Sequence, residues 1–254
     1  MLYSAHAHRI GNAMTLRHSL IIPAYNEERL LPRLLESVAV ARASHARPDA
    51  IEVIVADNAS TDRTAQVAAA AGCRVVTVAQ RVIGAVRNGG AAAARGEVLC
   101  FIDADSQVHP QTFNAIDAAL ARGRCVGGAT GVTLERWSVG IALTYALFLP
   151  MVWITGMDAG VVFCRRSDFE AVGGYDETRL VAEDVAFLWT LRRLGRSRGE
   201  RLRRVTAAKA IASTRKFDEF GDWHYFPLMI EGIAQLRRRG ATPLTDRYWY
   251  KPNR

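Results

Sequence analysis

The chain has few cysteines, and its N-terminus lacks the apolar run that a secretory signal peptide requires. Its four cysteines, in 254 residues, form no CxxC pair, which argues against a zinc ribbon or a redox motif. Cys100 and Cys164 lie inside apolar segments, where a free buried thiol is the usual state. These absences indicate a reducing compartment, and we expect a cytoplasmic protein. Residues 1–13, which include His6 and His8, are expected to form a flexible leader.

Acidic residues are outnumbered by basic ones. The sequence holds 25 Asp and Glu against 33 Lys and Arg, a formal net charge of +8. Its densest basic run, RRLGRSRGERLRR, occupies residues 192–204. No helix-turn-helix, RRM or zinc-finger pattern accompanies this charge, so nucleic acid is not an expected partner. We interpret the run as a solvated helix end and loop; the alternative is a surface that meets anionic lipid or an anionic substrate.

Charged residues are also absent from residues 137–157, WSVGIALTYALFLPMVWITGM. The length of this segment approaches that of a membrane span, but Pro150 and two glycines interrupt it. Three interpretations stay open: a buried core helix, an interfacial or acceptor-side helix, and, least favoured, a true span.

The first half of the chain alternates apolar, strand-like runs with segments of helical spacing. Such an order predicts an α/β fold with a largely parallel sheet and right-handed crossovers. The predicted strands cover 17–26, 51–58, 73–79 and 97–105, and the predicted helices cover 27–45, 61–72, 84–96 and 111–123.

The second half is less regular. A strand at 125–135 is expected at the edge of the first unit, and 158–177 reads as a strand, a turn and a short helix. Residues 182–196 form an amphipathic pattern typical of a helix. A last strand and a polar loop are predicted over 209–223, followed by a helical tail.

Acidic residues follow the apolar runs at the points where parallel strands end. Asp103 and Asp105 form an Asp-x-Asp pair after one strand; hard divalent cations prefer such carboxylate oxygens, and a metal held there can bridge a diphosphate. The alternative is a structural turn. Glu183 and Asp184 open the amphipathic helix, where they complement the helix dipole or supply a general base for an acceptor hydroxyl.

Three other segments are candidates for contact with a nucleotide. In PAYNE, residues 23–27, Tyr25 offers an aromatic edge near a base, and Glu27 can accept from a ribose hydroxyl or cap a helix. Asp57 can accept from a base edge such as uracil N3–H, or cap the following helix. Arg87, in GAVRNGG, can face phosphate, although this segment is not a GxGxxG fingerprint and its glycines also suit tight helix packing.

Two cations and a histidine lie further along the chain. Arg215 and Lys216 are placed to offset diphosphate charge. His224 is a candidate metal ligand, with a structural role as the commoner alternative.

These motifs, in this order, resemble the family 2 glycosyltransferases with their single-domain GT-A fold. The matching text is LIIPAYNEE, VIVADNASTDRT, GAVRNGGAAAARGEVLCFIDADSQVHP, DAGVVFCRRSDFEAVGGYDE and AEDVAFLWTLRRLG, within roughly residues 18–195. The resemblance implies one domain over 14–254, with a donor half (14–130) and an acceptor half (131–254). It implies that the donor is contacted by Pro23, Ala24, Tyr25, Glu27, Asp57, Arg87, Asp103, Arg215 and Lys216. It implies that Asp103 and Asp105 hold the metal, with Asp105 as the direct ligand. The base would be Asp184, with Glu183 beside it.

The implied activity is metal-dependent, inverting transfer from a nucleotide-diphosphate sugar, with UDP favoured, to a hydroxyl acceptor, using Mn²⁺ or Mg²⁺. A lipid-linked acceptor and peripheral association with the inner face of a membrane are compatible with residues 137–157. Asp57-Asn58-Ala59-Ser60 departs from the family's common Asp-Asp-Gly-Ser, and Gln235-Leu236-Arg237-Arg238-Arg239 lacks the tryptophan of the QxxRW motif of processive members. Processive synthesis is therefore not expected. The alternatives are a sugar-1-phosphate nucleotidyltransferase and an inactive scaffold of the same fold.

Overall fold

A computed structural model describes residues 16–155, 160–179 and 182–226. The expected leader, the helical tail and the Gln235–Arg239 segment lie outside these residues. Within them, seven strands form one sheet in the order β3-β2-β1-β4-β6-β5-β7. The strands are β1 (His18–Ala24), β2 (Ile51–Asp57), β3 (Arg74–Thr77), β4 (Val98–Phe101), β5 (Cys125–Leu134), β6 (Val162–Arg165) and β7 (Arg201–Ala212).

Strands β1 to β4 pair in parallel, as do β5 and β7, whereas β6 is antiparallel to both of its neighbours. The predicted α/β architecture with a largely parallel sheet is confirmed. The helices are α1 (Leu31–Ala43), α2 (Thr64–Ala70), α3 (Ile83–Ala93), α4 (Thr112–Ala121), α5 (Val139–Thr155), α6 (Arg166–Val172), α7 (Glu183–Ser197) and α8 (Arg215–Phe220).

Two hydrophobic cores sandwich the sheet because successive side chains of a strand point to opposite faces. Leu20 and Ile22 of β1 enter a core with α1, α2 and α4, while Ile21 enters a second core with α3, α6 and α7. The central strands are buried along both faces, which explains their continuous apolar runs. Cys100 and Cys164 lie in these strands as buried free thiols, as predicted.

The second half corrects the sequence-based expectations at three elements. Strand β5 is not at an edge of the first unit, since β6 lies between it and β4. Strand β7 begins at Arg201, so the last part of the basic run is strand and not loop. The predicted polar loop contains helix α8. The last two errors have separate causes. Much of β7 is exposed, so its sequence shows little apolar alternation, and α8 is shorter than a periodicity window.

Helix α5 presents one apolar face to the surface. Ile141 and Thr144 are buried, but Val139, Leu143 and Leu147 are about half exposed or more, with Trp137 beside them. The interpretation as a wholly buried core helix is therefore wrong. Among the described residues, no helix is both long enough and apolar enough to cross a membrane.

Helix α3 packs unusually close to β1 and β2 because glycines face the sheet. A Cβ atom on Gly90 would lie 2.4 Å from Ile21 Cγ2 and 3.2 Å from Ala56 Cβ. A Cβ on the preceding residue, Gly89, would lie 2.5 Å from Cγ2 of Val78, the residue after β3. The glycines let the helix approach the strands, and this approach sets the depth of every other α3 side chain.

We expect Gly90→Ala to lower the free energy of unfolding by about 1–3 kcal/mol, because the added methyl group overpacks the interface with Ile21. At an open helical position the same change would stabilise by up to about 1 kcal/mol. Urea unfolding measures the difference. The exposed Ala92→Gly on the same helix is the matched control, with a loss of about 1 kcal/mol from helix propensity alone. A stabilised Gly90→Ala protein would contradict the close approach of α3.

Candidate active site

The predicted acidic residues meet at one edge of the sheet. Strands β1 and β2 end in register, with Ala24 beside Asp57, and β4 ends at Phe101, two residues before Asp103. Because these strands are parallel, their carboxyl ends share an edge, which is where ligands bind in open α/β sheets. Asp103-Ala104-Asp105 forms a turn and not the extended segment that was expected, with Ser106 N–H donating to the Asp103 carbonyl at 3.1 Å.

Arg87 lies at the centre of the site, and only 3% of it is exposed. Its guanidinium donates to Asp103 Oδ1 at 2.8 Å and to Glu183 Oε1 at 2.7 Å, and lies 2.9 Å from Asp184 Oδ1. Burial acts to lower the pKa of Arg87, but the surrounding negative charge, led by Asp184, holds it above its ordinary value. One buried cation thus joins an acid of the Asp-x-Asp pair to both acids of α7.

These groups belong to two helices, α3 and α7. Because α3 packs closely on the sheet, Arg87 lies at the level of the strand ends. Helix α7 begins at Glu183, directly after Ala182, whose φ of 58° is left-handed and thus strained for a residue with a side chain. Glu183 and Asp184 therefore stand in the first turn of α7, where the positive end of the helix dipole favours carboxylates.

Asp184 has a raised pKa. Burial disfavours its charge and outweighs the opposing effect of Arg87, and the negative charges of Asp103 and Glu183 add to the rise, so that the pKa of Asp184 is about 6. The Tyr175 hydroxyl donates to Asp184 Oδ1 at 3.1 Å, which favours the ionised form. A carboxylate with this pKa is ionised at neutral pH and is still a competent proton acceptor.

Tyr175 is a site residue that the sequence reasoning missed. Its ring stacks on Phe187 with centroids 4.3 Å apart, and the Arg87 guanidinium lies over it at 5.2 Å. Asn88 holds the Tyr175 backbone on both sides, accepting from its N–H and donating to its carbonyl, each at 2.9 Å. The only available signal was the place of Tyr175 inside the GGYDE segment, directly after a glycine pair.

The loops after β1 and β2 form one wall of the site. Asn26 N–H donates to Ser60 Oγ at 3.0 Å and Glu27 N–H donates to Thr64 Oγ1 at 2.8 Å, so the loop after β1 is bonded to the loop after β2 and to the start of α2. Asp57 Oδ2 accepts from Ser60 N–H at 3.3 Å. Asp57 Oδ1 is buried and has no hydrogen-bond partner among the described residues, so it is an acceptor in need of a donor.

The aromatic member of this wall is Tyr25. Its ring lies 5.2 Å from the guanidinium of the exposed Arg81. Pro23 and Ala24 are the last residues of β1, directly before this loop, and their contact with a donor stays a prediction.

A second cation joins the first loop to the Asp-x-Asp turn. Arg215, the first residue of α8, forms a bidentate pair with Glu27 at 2.9 and 3.0 Å and lies 3.3 Å from Asp105 Oδ2. Burial acts to lower the pKa of the adjacent Lys216, while Asp105 acts to raise it. Both cations therefore lie near Asp105, and their contact with a diphosphate stays a prediction.

The Asp-x-Asp turn fits a divalent cation. The side chains of Asp103 and Asp105 are 59% and 22% exposed, so both offer oxygens to a ligand. Burial raises the pKa of Asp105, and the neighbouring charge of Asp103 raises it further. A bound cation would relieve this repulsion between two carboxylates.

His224 lies in a different environment from these acids. Its Nδ1 is 2.6 Å from the Gly221 carbonyl oxygen, and its ring packs against Phe217 and Tyr225 with centroids 5.0 and 4.2 Å apart. These contacts fit the structural alternative, and a metal-binding role for His224 stays a prediction.

Comparison with known proteins finds a family match over part of the chain and relatives that share it. Residues 19–142 match the family model described as Glycosyl transferase family 2. The chain is 36% identical over 123 residues to the undecaprenyl-phosphate 4-deoxy-4-formamido-L-arabinose transferase of Pseudomonas paraeruginosa, covering 44% of this chain and 34% of that protein. It is 37% identical over 109 residues to the validoxylamine A glucosyltransferase of Streptomyces hygroscopicus subsp. limoneus, covering 41% and 23%. The chain thus spans about a third or less of these curated relatives.

Solved structures share the fold. The mannosyltransferase PcManGT from Pyrobaculum calidifontis, in complex with GDP-Man and Mn²⁺, superposes with a TM-score of 0.63 at 20% identity over 91% of this chain and 66% of its own. The glucosyl-3-phosphoglycerate synthase from Mycobacterium tuberculosis, in complex with Mn²⁺, UDP and phosphoglyceric acid, gives 0.57 at 22% identity over 82% and 74%. The expected GT-A fold is confirmed.

We expect the Asp184 carboxyl to titrate near pH 6 and Tyr175→Phe to raise this pKa by up to about one unit, because a hydrogen bond to the ionised form is lost. Carbon-13 NMR of the aspartate side-chain carboxyls measures both titrations. Tyr145→Phe is the control, since the Tyr145 hydroxyl donates to the Val132 carbonyl and contacts no carboxylate. An Asp184 pKa near 4 in all three proteins would contradict the strength that we assign to burial at this site.

Proposed function

We propose that this chain, whose residues 19–142 match the model of the family 2 glycosyltransferases, transfers a sugar from a nucleotide-diphosphate sugar to a hydroxyl acceptor. One observation carries the proposal. Arg87 gathers Asp103 of the Asp-x-Asp pair and the acids Glu183 and Asp184 into one cluster at the strand ends. Sugar transfer requires a carboxylate that binds the metal of the donor and a carboxylate that accepts the proton of the acceptor, and the two must lie close together. This cluster brings such carboxylates together.

The donor base is assigned to the wall formed by the loops after β1 and β2. The buried Asp57 Oδ1, which has no donor among the described residues, suits an imide N–H such as N3–H of uracil. Tyr25 offers its ring edge and Glu27 its carboxylate to the rest of the nucleoside. We favour a UDP-sugar; UDP accompanies the Mycobacterium tuberculosis synthase and GDP-Man the Pyrobaculum enzyme.

The diphosphate is assigned to the Asp-x-Asp turn and α8. Asp105 and Asp103 would hold Mn²⁺ or Mg²⁺, the hard cations that carboxylates bind. The cation, when bound, neutralises charge that develops on the leaving diphosphate. Arg215 and Lys216 add positive charge on the same side, and Arg215 exchanges its contact with Asp105 for one with phosphate.

Asp184 is assigned as the general base, with Glu183 held beside it by Arg87. The acceptor oxygen attacks the anomeric carbon as the bond from that carbon to the diphosphate breaks, and its proton passes to Asp184. A direct displacement of this kind inverts the anomeric configuration. The pKa of about 6 leaves Asp184 ionised at pH 7, as a base must be.

A lipid-linked acceptor agrees with the surface of α5. The exposed side chains Val139, Leu143 and Leu147 recur every four residues and so share one face, with Trp137 at the helix start. This apolar face suits shallow insertion at a membrane surface. We therefore propose a cytoplasmic enzyme that binds peripherally to the inner face of the membrane; the Pseudomonas relative is named for a transferase of undecaprenyl phosphate.

We expect Asp184→Asn to lower the rate of UDP release from UDP-sugars by ~10²–10⁴-fold, because the proton acceptor is lost, while Mn²⁺-dependent UDP binding persists. Asp105→Asn is expected to weaken that binding instead. A thermal-shift panel of UDP, GDP, CDP and dTDP, with Mn²⁺ or with EDTA, measures binding; saturating donor should raise Tm by roughly 5–10 °C. Glu170→Gln, which removes an exposed carboxylate of α6, is the control.

The outcomes separate the alternatives. Near-normal turnover by the Asp184→Asn variant would show that Asp184 is not the general base. Pyrophosphate release from a nucleoside triphosphate and a sugar 1-phosphate would favour the nucleotidyltransferase. No shift with any of the four nucleotides would favour the scaffold.

We expect the protein to sediment with anionic vesicles at low salt, and Leu143→Asp with Leu147→Asp to reduce this binding at least about tenfold, because two apolar side chains no longer enter the membrane surface. Val40→Asp is the matched control, since Val40 is 53% exposed but lies on α1. Equal sedimentation of all three proteins, or none at low salt, would contradict the membrane assignment.

A further inference from the structure

We propose that His18, His45 and Asp117 form a second metal site, for Zn²⁺ or a similar transition metal, at the end of the sheet opposite the acidic site. His18 is the first residue of β1, whereas the acidic site lies where β1, β2 and β4 end. His45 follows α1, and Asp117 belongs to α4. The nucleotide-sugar chemistry proposed above uses none of these residues, so the two proposals stand independently.

The three side chains converge on one point. His18 Nε2 lies 3.2 Å and His45 Nε2 lies 3.1 Å from the same oxygen, Asp117 Oδ2. All three atoms lie within 4.8 Å of one another, and the cluster is the one group of its kind among the described residues. The imidazole rings stand nearly perpendicular, at 88°, so their nitrogens approach the oxygen from different directions.

Hydrogen bonding alone leaves this cluster incomplete. His18 is 0% exposed, and its Nε2 makes no hydrogen bond of acceptable geometry to any described residue, although Asp117 Oδ2 is nearby. A buried polar nitrogen without a partner is costly. A cation placed among the three atoms would use the nitrogen lone pair that hydrogen bonding does not.

Outer contacts would orient each ligand for a metal. Asp117 Oδ1 accepts from Arg17 Nε at 2.9 Å, which leaves Oδ2 for the cation. Without a metal, His45 Nδ1 accepts from the Arg47 N–H at 3.2 Å and Nε2 hydrogen-bonds to Asp117 Oδ2 at 3.1 Å. The Arg47 carbonyl oxygen also lies 3.2 Å from Nδ1, so the other tautomer, which donates from Nδ1 to this carbonyl, would free Nε2 for a metal. His18 Nδ1 lies 3.9 Å from Cys100 Sγ, a weak acceptor for the other ring proton.

The donor set selects the class of metal. Two imidazole nitrogens and one carboxylate oxygen suit Zn²⁺ and its neighbours among the transition metals, in contrast to the all-oxygen preference of Mg²⁺. The positive charge of Arg17 opposes a cation here, and the carboxylate of Asp117 offsets it. Since the ligands come from three elements, a bound ion would tie β1, the α1–β2 connection and α4 together and stabilise the fold.

The test uses the full chain carrying Asp103→Asn and Asp105→Asn, so that metal bound at the acidic turn does not contribute. After removal of metals with a chelator, addition of excess Zn²⁺ and desalting, we expect one Zn²⁺ per chain by elemental analysis. Tm should rise by roughly 5–10 °C at a Zn²⁺ concentration about 100-fold above Kd. His45→Gln in this background should lose both effects, whereas His109→Gln, outside the cluster, should keep them.

A second measurement covers the case in which His45→Gln does not fold. Co²⁺ added to the parent chain should give the visible absorption of a four-coordinate site and lose it when Zn²⁺ is added. No stoichiometric Zn²⁺ and no Co²⁺ spectrum would overturn the proposal and leave a hydrogen-bonded His-Asp-His network. Zn²⁺ stabilisation that survives in a folded His45→Gln protein would also overturn it.

Discussion

The site depends on the burial of one guanidinium among three carboxylates. Asp103, Glu183 and Asp184 come from the turn after β4 and from the start of α7, and without a cation between them their charges would repel. Arg87 supplies that cation from α3, and it reaches this depth because Gly89 and Gly90 let the helix lie against the sheet. The two glycines thus allow the buried position of Arg87, and through it they affect the charge balance of the three carboxylates.

The Asp-x-Asp turn connects two ion-pair clusters. Asp103 belongs to the Arg87 cluster, and Asp105 belongs to the Arg215 cluster, which also holds Glu27. A metal and a diphosphate bound at this turn would necessarily compete with both cations for the same oxygens. On the proposed assignment, donor binding would exchange ionic partners within a preassembled set, and Arg215, released from Asp105, would be close to the incoming phosphate. This exchange spares the cost of bringing new charges into a partly buried site.

The sequence predicted what local patterns encode and missed what arises only through space. Strands β1, β2 and β4 followed from uninterrupted apolar runs, and the positions of Asp57, Asp103 and Glu183 followed from where those runs and helix α7 begin or end. Arg87 was expected to face phosphate, yet it contacts carboxylates 16 and 96 residues away. The position of Tyr175 depends on the stacking of its ring on Phe187 and on the hydrogen bonds from Asn88 to its backbone, and a local sequence pattern does not report such contacts. The mixed order of β5, β6 and β7 also depends on pairings between distant segments, which periodicity does not report.

The environment of Asp184 explains why burial and charge must be balanced at this position. Arg87 alone would stabilise the ionised carboxylate and make it a weak base. Burial and the neighbouring carboxylates act in the opposite direction and prevail, which places the pKa of Asp184 at about 6. General-base efficiency is greatest when the pKa lies near the working pH. The Tyr175 hydroxyl then acts against too large a rise, which would leave Asp184 protonated at pH 7. Burial and the neighbouring carboxylates thus raise the pKa of Asp184 while Arg87 and Tyr175 lower it, and the removal of any one neighbour changes the fraction of Asp184 that is ionised at pH 7.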